Sequence, residues 1–77
     1  MKLSDIKSGN TVMLSDGLQY TILDNNIGVT RLVVSANNNT VYRIQSYEIE
    51  MVNIDGVWHY IALSDKQEML KQQVESL

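Results

Sequence analysis

Few residues in this chain could carry acid–base, metal or nucleic-acid chemistry, and their spacing decides among those options. His59 is the only histidine, and imidazole titrates near neutral pH and can act as a general acid or base. Catalysis would also need an oriented partner and a pocket. The neighbours Trp58 and Tyr60 mark neither, so His59 reads as a structural or partly exposed strand residue. The absence of cysteine removes a thiolate nucleophile, a thiolate zinc site and any disulfide. Glu48 and Glu50 would project from one face of a strand, and they read as an exposed sheet face. Residues 24–28 carry a faint calcium-loop flavour but lack the required length and the closing glutamate. The expectation is a non-enzymatic protein with no cofactor and no metal.

Binding chemistry offers more. Arg31, Tyr42 and Arg43 could form a stacking platform with cationic arms for single-stranded DNA or RNA. Against this, Glu48 and Glu50 share a strand with Arg43, and a formal charge of −3 argues against a broad phosphate-binding surface. Tyr47, Met51, Trp58 and Tyr60 could instead anchor a protein partner, because interfaces concentrate rigid aromatic side chains. In so small a chain some of these must fill the core, and Trp58 is the best candidate for that duty. A second surface is the apolar flank of the C-terminal segment, Met69, Leu70, Val74 and Leu77 with Gln73 between them. It would pack on the chain's own sheet or on a second copy, making a homo-oligomer.

These side chains need elements to hold them, and turn chemistry gives the plan. Asp16-Gly17 and Asp55-Gly56 each sit between β-rich apolar stretches, the signature of tight type I′ hairpins with positive φ at both central residues. Leu3 and Ile6 suit one helical turn or a lead-in, and residues 11–15 form the first strand. Leu18, Tyr20 and Ile22 alternate with polar residues in the second. Asp24-Asn25-Asn26 makes a loop, residues 29–36 a third strand, and Asn37-Asn38-Asn39 a turn.

Residues 40–53 are long for one strand. Tyr42 and Ile44 share one parity, while Tyr47, Ile49 and Met51 share the other, so a bulge or bend near Gln45-Ser46 would restore a continuous inner face. A last strand spans residues 57–63. Ser64 then opens a helix over residues 64–77, with Ser64 and Gln67 placed for a reciprocal capping box. Five strands with one bend predict a small antiparallel barrel or strongly curved sheet, one domain over residues 1–77, with the helix at one end or edge. No apolar run reaches the length of a membrane span or signal peptide, so cytoplasm is the expected location.

The opening Ile6-Lys7-Ser8-Gly9-Asn10-Thr11-Val12-Met13-Leu14-Ser15-Asp16-Gly17, followed by Tyr20-Thr21-Ile22-Leu23, resembles the start of small SH3-like barrel proteins. These include phage and prophage open reading frames. Gly9 matches the family glycine, and Asn10 stands where aspartate is commoner. The similarity covers about the first quarter of the chain. It implies a barrel scaffold used for protein or nucleic-acid contacts, with no catalytic residues to carry over. A phage setting would imply a protein that binds a host or defence factor, working in the host cytoplasm.

Overall fold

The computed structural model describes residues 1–25 and 28–75, with the side chains of residues 74 and 75 outside that description. It contains six antiparallel strands and one C-terminal helix. The strands are β1 (Thr11–Leu14), β2 (Gln19–Ile22), β3 (Thr30–Ser35), β4 (Val41–Gln45), β5 (Ile49–Ile54) and β6 (Val57–Tyr60), followed by α1 (Asp65–Glu75). Their order across the sheet is β4-β3-β2-β1-β5-β6. The sheet is not closed, and β4 and β6 are its two ends. Met1 and Lys2 lie along part of the outer edge of β6, with the Ala62 N–H donating to the Met1 carbonyl at 2.7 Å and a parallel bridge joining Lys2 to Ala62.

Six strands replace the expected five because a 3-10 turn, Ser46–Glu48, interrupts residues 40–53. The break falls where the apolar parity changes. Buried Ser46 anchors the turn by donating its hydroxyl to the Gly28 carbonyl at 2.7 Å. The Glu48 carboxylate folds back to accept from the Gln45 N–H at 2.9 Å.

The two Asp-Gly corners differ. At the second, Asp55 (φ 52) and Gly56 (φ 86) both adopt positive φ, and Ile54 pairs directly with Val57, giving the two-residue loop of a type I′ hairpin. At the first, only Gly17 is left-handed (φ 80), the Gly17 N–H donates to the Leu14 carbonyl, and the Leu14 N–H donates to the Leu18 carbonyl. That is a three-residue loop, a type I turn closed by a left-handed residue. The Asp16 carboxylate explains the difference. It accepts from the Leu18 N–H at 2.8 Å and from the Tyr20 hydroxyl at 2.7 Å, which holds Asp16 inside the turn.

The core lies on one face of the sheet and consists of Ile6, Val12, Leu14, Tyr20, Ile22, Val33, Ile49 and Val52, with Leu3, Ile44, Ile54 and Ile61 packed at its margin. A 3-10 turn, Leu3–Asp5, delivers Ile6 to this core. The expected inner face Tyr47-Ile49-Met51 does not form. Leu14 pairs with Ile49 and Met13 with Met51, leaving Glu50 as an extra residue, a bulge. The bulge turns Ile49 and Val52 inward and Met51 outward.

The helix also presents a different stripe from the one expected. Gln67, Leu70 and Lys71 are partly buried, whereas Met69 is 61% exposed and Gln73 faces solvent. Spacing of three and four from Gln67 sets the inner flank, and α1 packs on the Ser46–Glu48 turn. Leu77 lies outside the described residues, as does the side chain of Val74.

Candidate functional site

The face of the sheet opposite the core gathers the strongest set of contact residues. Met13 pairs with Met51 and Met51 with Tyr60, which sets the three in one row across β1, β5 and β6. In the next row Thr11 pairs with Asn53 and Asn53 with Trp58. Directly opposed residues share a face, with Cβ atoms about 4.5–5.5 Å apart. Tyr60 is 77% exposed, while Met13, Met51 and Trp58 are half-buried against their neighbours. Gln19 and Thr21 of β2 continue the two rows, so the paired residues of these rows carry no charge. Trp58 thus stands on the outer face. The core is filled by aliphatic side chains and Tyr20 instead.

Sequence reasoning named Met51, Trp58 and Tyr60, and the fold brings them together. Tyr47 sits apart, half-buried in the Ser46–Glu48 turn. Met13 was missed. Its signal was present, since it alternates out of phase with Val12 and Leu14, both core residues.

The proposed nucleic-acid trio is split between the two faces. Arg31 pairs with Ile44 and its neighbour Leu32 with Arg43, so the two arginines point to opposite sides of the sheet. Arg31 is 1% exposed and no surface cation at all. Its Nε donates to Asp24 Oδ1 at 2.8 Å, and its Nη2 donates to the carbonyls of Ile6 and Asp24, each at 3.0 Å. Tyr42 lies on the inner side, its ring edge-on to Tyr20 with centroids 6.2 Å apart. Of the two arginines only Arg43 is exposed, lying 3.5 Å from the Thr30 hydroxyl. The platform expected from Arg31, Tyr42 and Arg43 is therefore not assembled.

A second feature lies under the helix start. A cleft of about 510 Å³ opens between the N-terminal turn, the Ser46–Glu48 turn and the first turn of α1, and Lys2, Ser4, Arg31, Ser46, Ser64 and Gln67 contribute to its wall. Ser64 caps the helix by accepting from the Gln67 N–H at 3.3 Å. The return half of the expected capping box is not made. Gln67 Oε1 is buried with no hydrogen-bond partner.

The titration of one tyrosine is strongly perturbed. The Tyr20 hydroxyl is pushed up to about 12, chiefly by its hydrogen bond to Asp16 and then by burial and the Asp16 charge. This holds the phenol neutral as a donor and gives it no base role. His59 is exposed near the free end of the sheet. Among the described residues no group of three or more His, Cys, Asp or Glu side chains could hold a metal ion, and no helix is long and apolar enough to cross a membrane. Comparison with protein-family models, curated proteins and solved structures returned no match.

Proposed function

We propose that this chain is a non-enzymatic protein-binding module whose docking surface is the outer face formed by Met13, Met51, Trp58 and Tyr60. The observation that carries this reading is the row Met13-Met51-Tyr60 with Trp58 beside it, flanked in the same two rows by uncharged Thr11, Gln19, Thr21 and Asn53, on the face turned away from the core. Aromatic anchors bury large area at little entropic loss, and methionine adapts its shape to a partner. Depletion of charge at the centre of the patch is the compositional mark of an interface core. The partner is a folded protein with a complementary apolar surface, and a phage setting would make it a host or defence factor. An SH3-like scaffold belongs to the same proposal. Extents of 30 × 24 × 22 Å support strong curvature of the sheet, and β5 returning beside β1 places first and late strands side by side.

The test is interface mapping in the complex. A partner isolated with the wild-type chain should lose at least tenfold in affinity on Tyr60→Ala, the scale of a hot-spot truncation above about 1.4 kcal/mol, and Arg43→Ala on the same face, at the far edge, should leave it unchanged. Equal binding by wild type and Tyr60→Ala refutes this surface. Oligonucleotide binding at low salt should be absent.

A further inference from the structure

We propose that the cleft beneath the start of α1 is a second binding site, and that it takes the C-terminal end of an extended peptide, reading its terminal carboxylate and last amide N–H. This does not rest on the outer-face reading, since the cleft opens on the core side of the sheet, where Arg31 projects. The cleft volume of about 510 Å³ lies in the range of small-ligand sites, roughly 300–1,000 Å³.

Its wall holds two polar groups with unused bonding capacity. Gln67 Oε1 is a buried acceptor without a donor, and a native protein rarely leaves such a group unpaired without reason. The Arg31 side chain is buried, and its Nε and Nη2 make all three of its hydrogen bonds, leaving Nη1 with none among the described residues. Lys2 also lines the cleft, and among the described residues Asp65 is the one acidic residue of its wall.

A ligand that satisfies both groups must offer an acceptor, preferably anionic, beside a donor. A fully deprotonated anion such as acetate supplies only the first, and a simple amine only the second. The end of a peptide carries both, a carboxylate for Arg31 and Lys2 and an N–H for Gln67. Asp24 already neutralises Arg31, so net charge adds little. Recognition then falls to hydrogen bonds, and affinity for a short peptide belongs in the millimolar range.

The assay is a titration of the full chain followed by amide chemical shifts at Ser46, Ala62, Ser64 and Gln67. The probes are N-acetyl-trialanine as the free acid, the same peptide as its C-terminal amide, and acetate. The free acid should give saturable shifts, with the amide at least about tenfold weaker because a charge-assisted bond is lost. Gln67→Met and Lys2→Gln should each weaken the free acid severalfold. Gln67→Met should leave the chain as stable as wild type or more so, because it deletes an unpaired buried acceptor. Tyr60→Ala should leave the titration unchanged, which separates this site from the outer face. Equal binding of acid and amide, acetate shifting the same amides as strongly as the peptide, unchanged binding by Gln67→Met, or no shifts at all would each overturn the proposal.

Discussion

The Arg31–Asp24 pair gives the sharpest test of how this small domain is held together. Arg31 is 1% exposed, and a single carboxylate 2.8 Å from its Nε supplies its counter-charge. The second oxygen of that carboxylate accepts from the Leu32 N–H at 3.1 Å, so Asp24 also ties its loop to β3. Asp24→Ala leaves a buried guanidinium with only the two carbonyls of Ile6 and residue 24 as partners. Breaking one side of a buried pair costs about 3–5 kcal/mol. A domain of this size has about 3–5 kcal/mol in total. The variant should therefore be largely unfolded in buffer. Arg31→Met removes the charge and leaves a part-exposed carboxylate that water can solvate, so it should cost less, about 1–3 kcal/mol for the orphaned Ile6 carbonyl. The double variant should be more stable than Asp24→Ala alone, since the unpaired charge is gone. Urea unfolding followed by the fluorescence of Trp58 measures all three, with a slope of about 1 kcal/mol/M for so small a protein. An Asp24→Ala variant within about 1 kcal/mol of wild type, the worth of an exposed pair, would refute this reasoning.

Two further outcomes follow from the turns. Gly56→Ala should lose about 1–2 kcal/mol by urea unfolding, the left-handed penalty of an L residue, because a Cβ there meets nothing within 4 Å and only the φ of 86° opposes it. Tyr20 should titrate near 12 in an absorbance titration of tyrosinate, and Asp16→Asn should bring it down. Because the folded value lies above the unfolded value of 10.0, folding favours the protonated phenol. This contribution is fully present below pH 10 and is lost as pH rises toward 12. A Tyr20 transition at the ordinary value would remove the Asp16 hydrogen bond from the account.

Much of the fold is legible in local chemistry. Asp55-Gly56 specified its turn outright, because both residue types tolerate positive φ and nothing else competes for them. At Asp16-Gly17 the same dipeptide gave a longer loop, because Tyr20, four residues on, captures the Asp16 carboxylate. That competition comes from outside the dipeptide and leaves no mark on it. The parity change near Gln45-Ser46 located the interruption of the long strand, but parity alone could not reveal a 3-10 turn or the separate bulge at Glu50. Arg31 misled for a general reason. A strand arginine reads as solvent-facing until a distant carboxylate is known to meet it, and Asp24 lies in a loop that pattern alone does not place. The outer-face row is the converse case. Met51, Trp58 and Tyr60 were visible as anchors, and cross-strand register, which no single strand encodes, assembled them.

That register depends on one residue, and this can be tested by deletion. Glu50 is exposed and unpaired opposite the Met13/Leu14 step, so it occupies the sheet without filling the alternation. Ile49, Met51 and Val52 already read inward, outward, inward once Glu50 is skipped. Deleting Glu50 should therefore let Leu14-Ile49, Met13-Met51 and Val12-Val52 pair as a regular ladder, with every side chain kept on its present face. The losses are the bend and the acceptor that the Glu50 carbonyl offers the Ile61 N–H at 3.0 Å. The cost should stay within the ordinary range of about 0.5–3 kcal/mol for a single change. Deleting Val52, two positions on, removes a fully buried side chain and flips all that follows to the wrong face, so that variant should not fold. Urea midpoints for the two deletions decide the matter, because equal damage from both would mean that Glu50 is an integral rung of the ladder, and the outward placement of Met51 beside Tyr60 would need another cause.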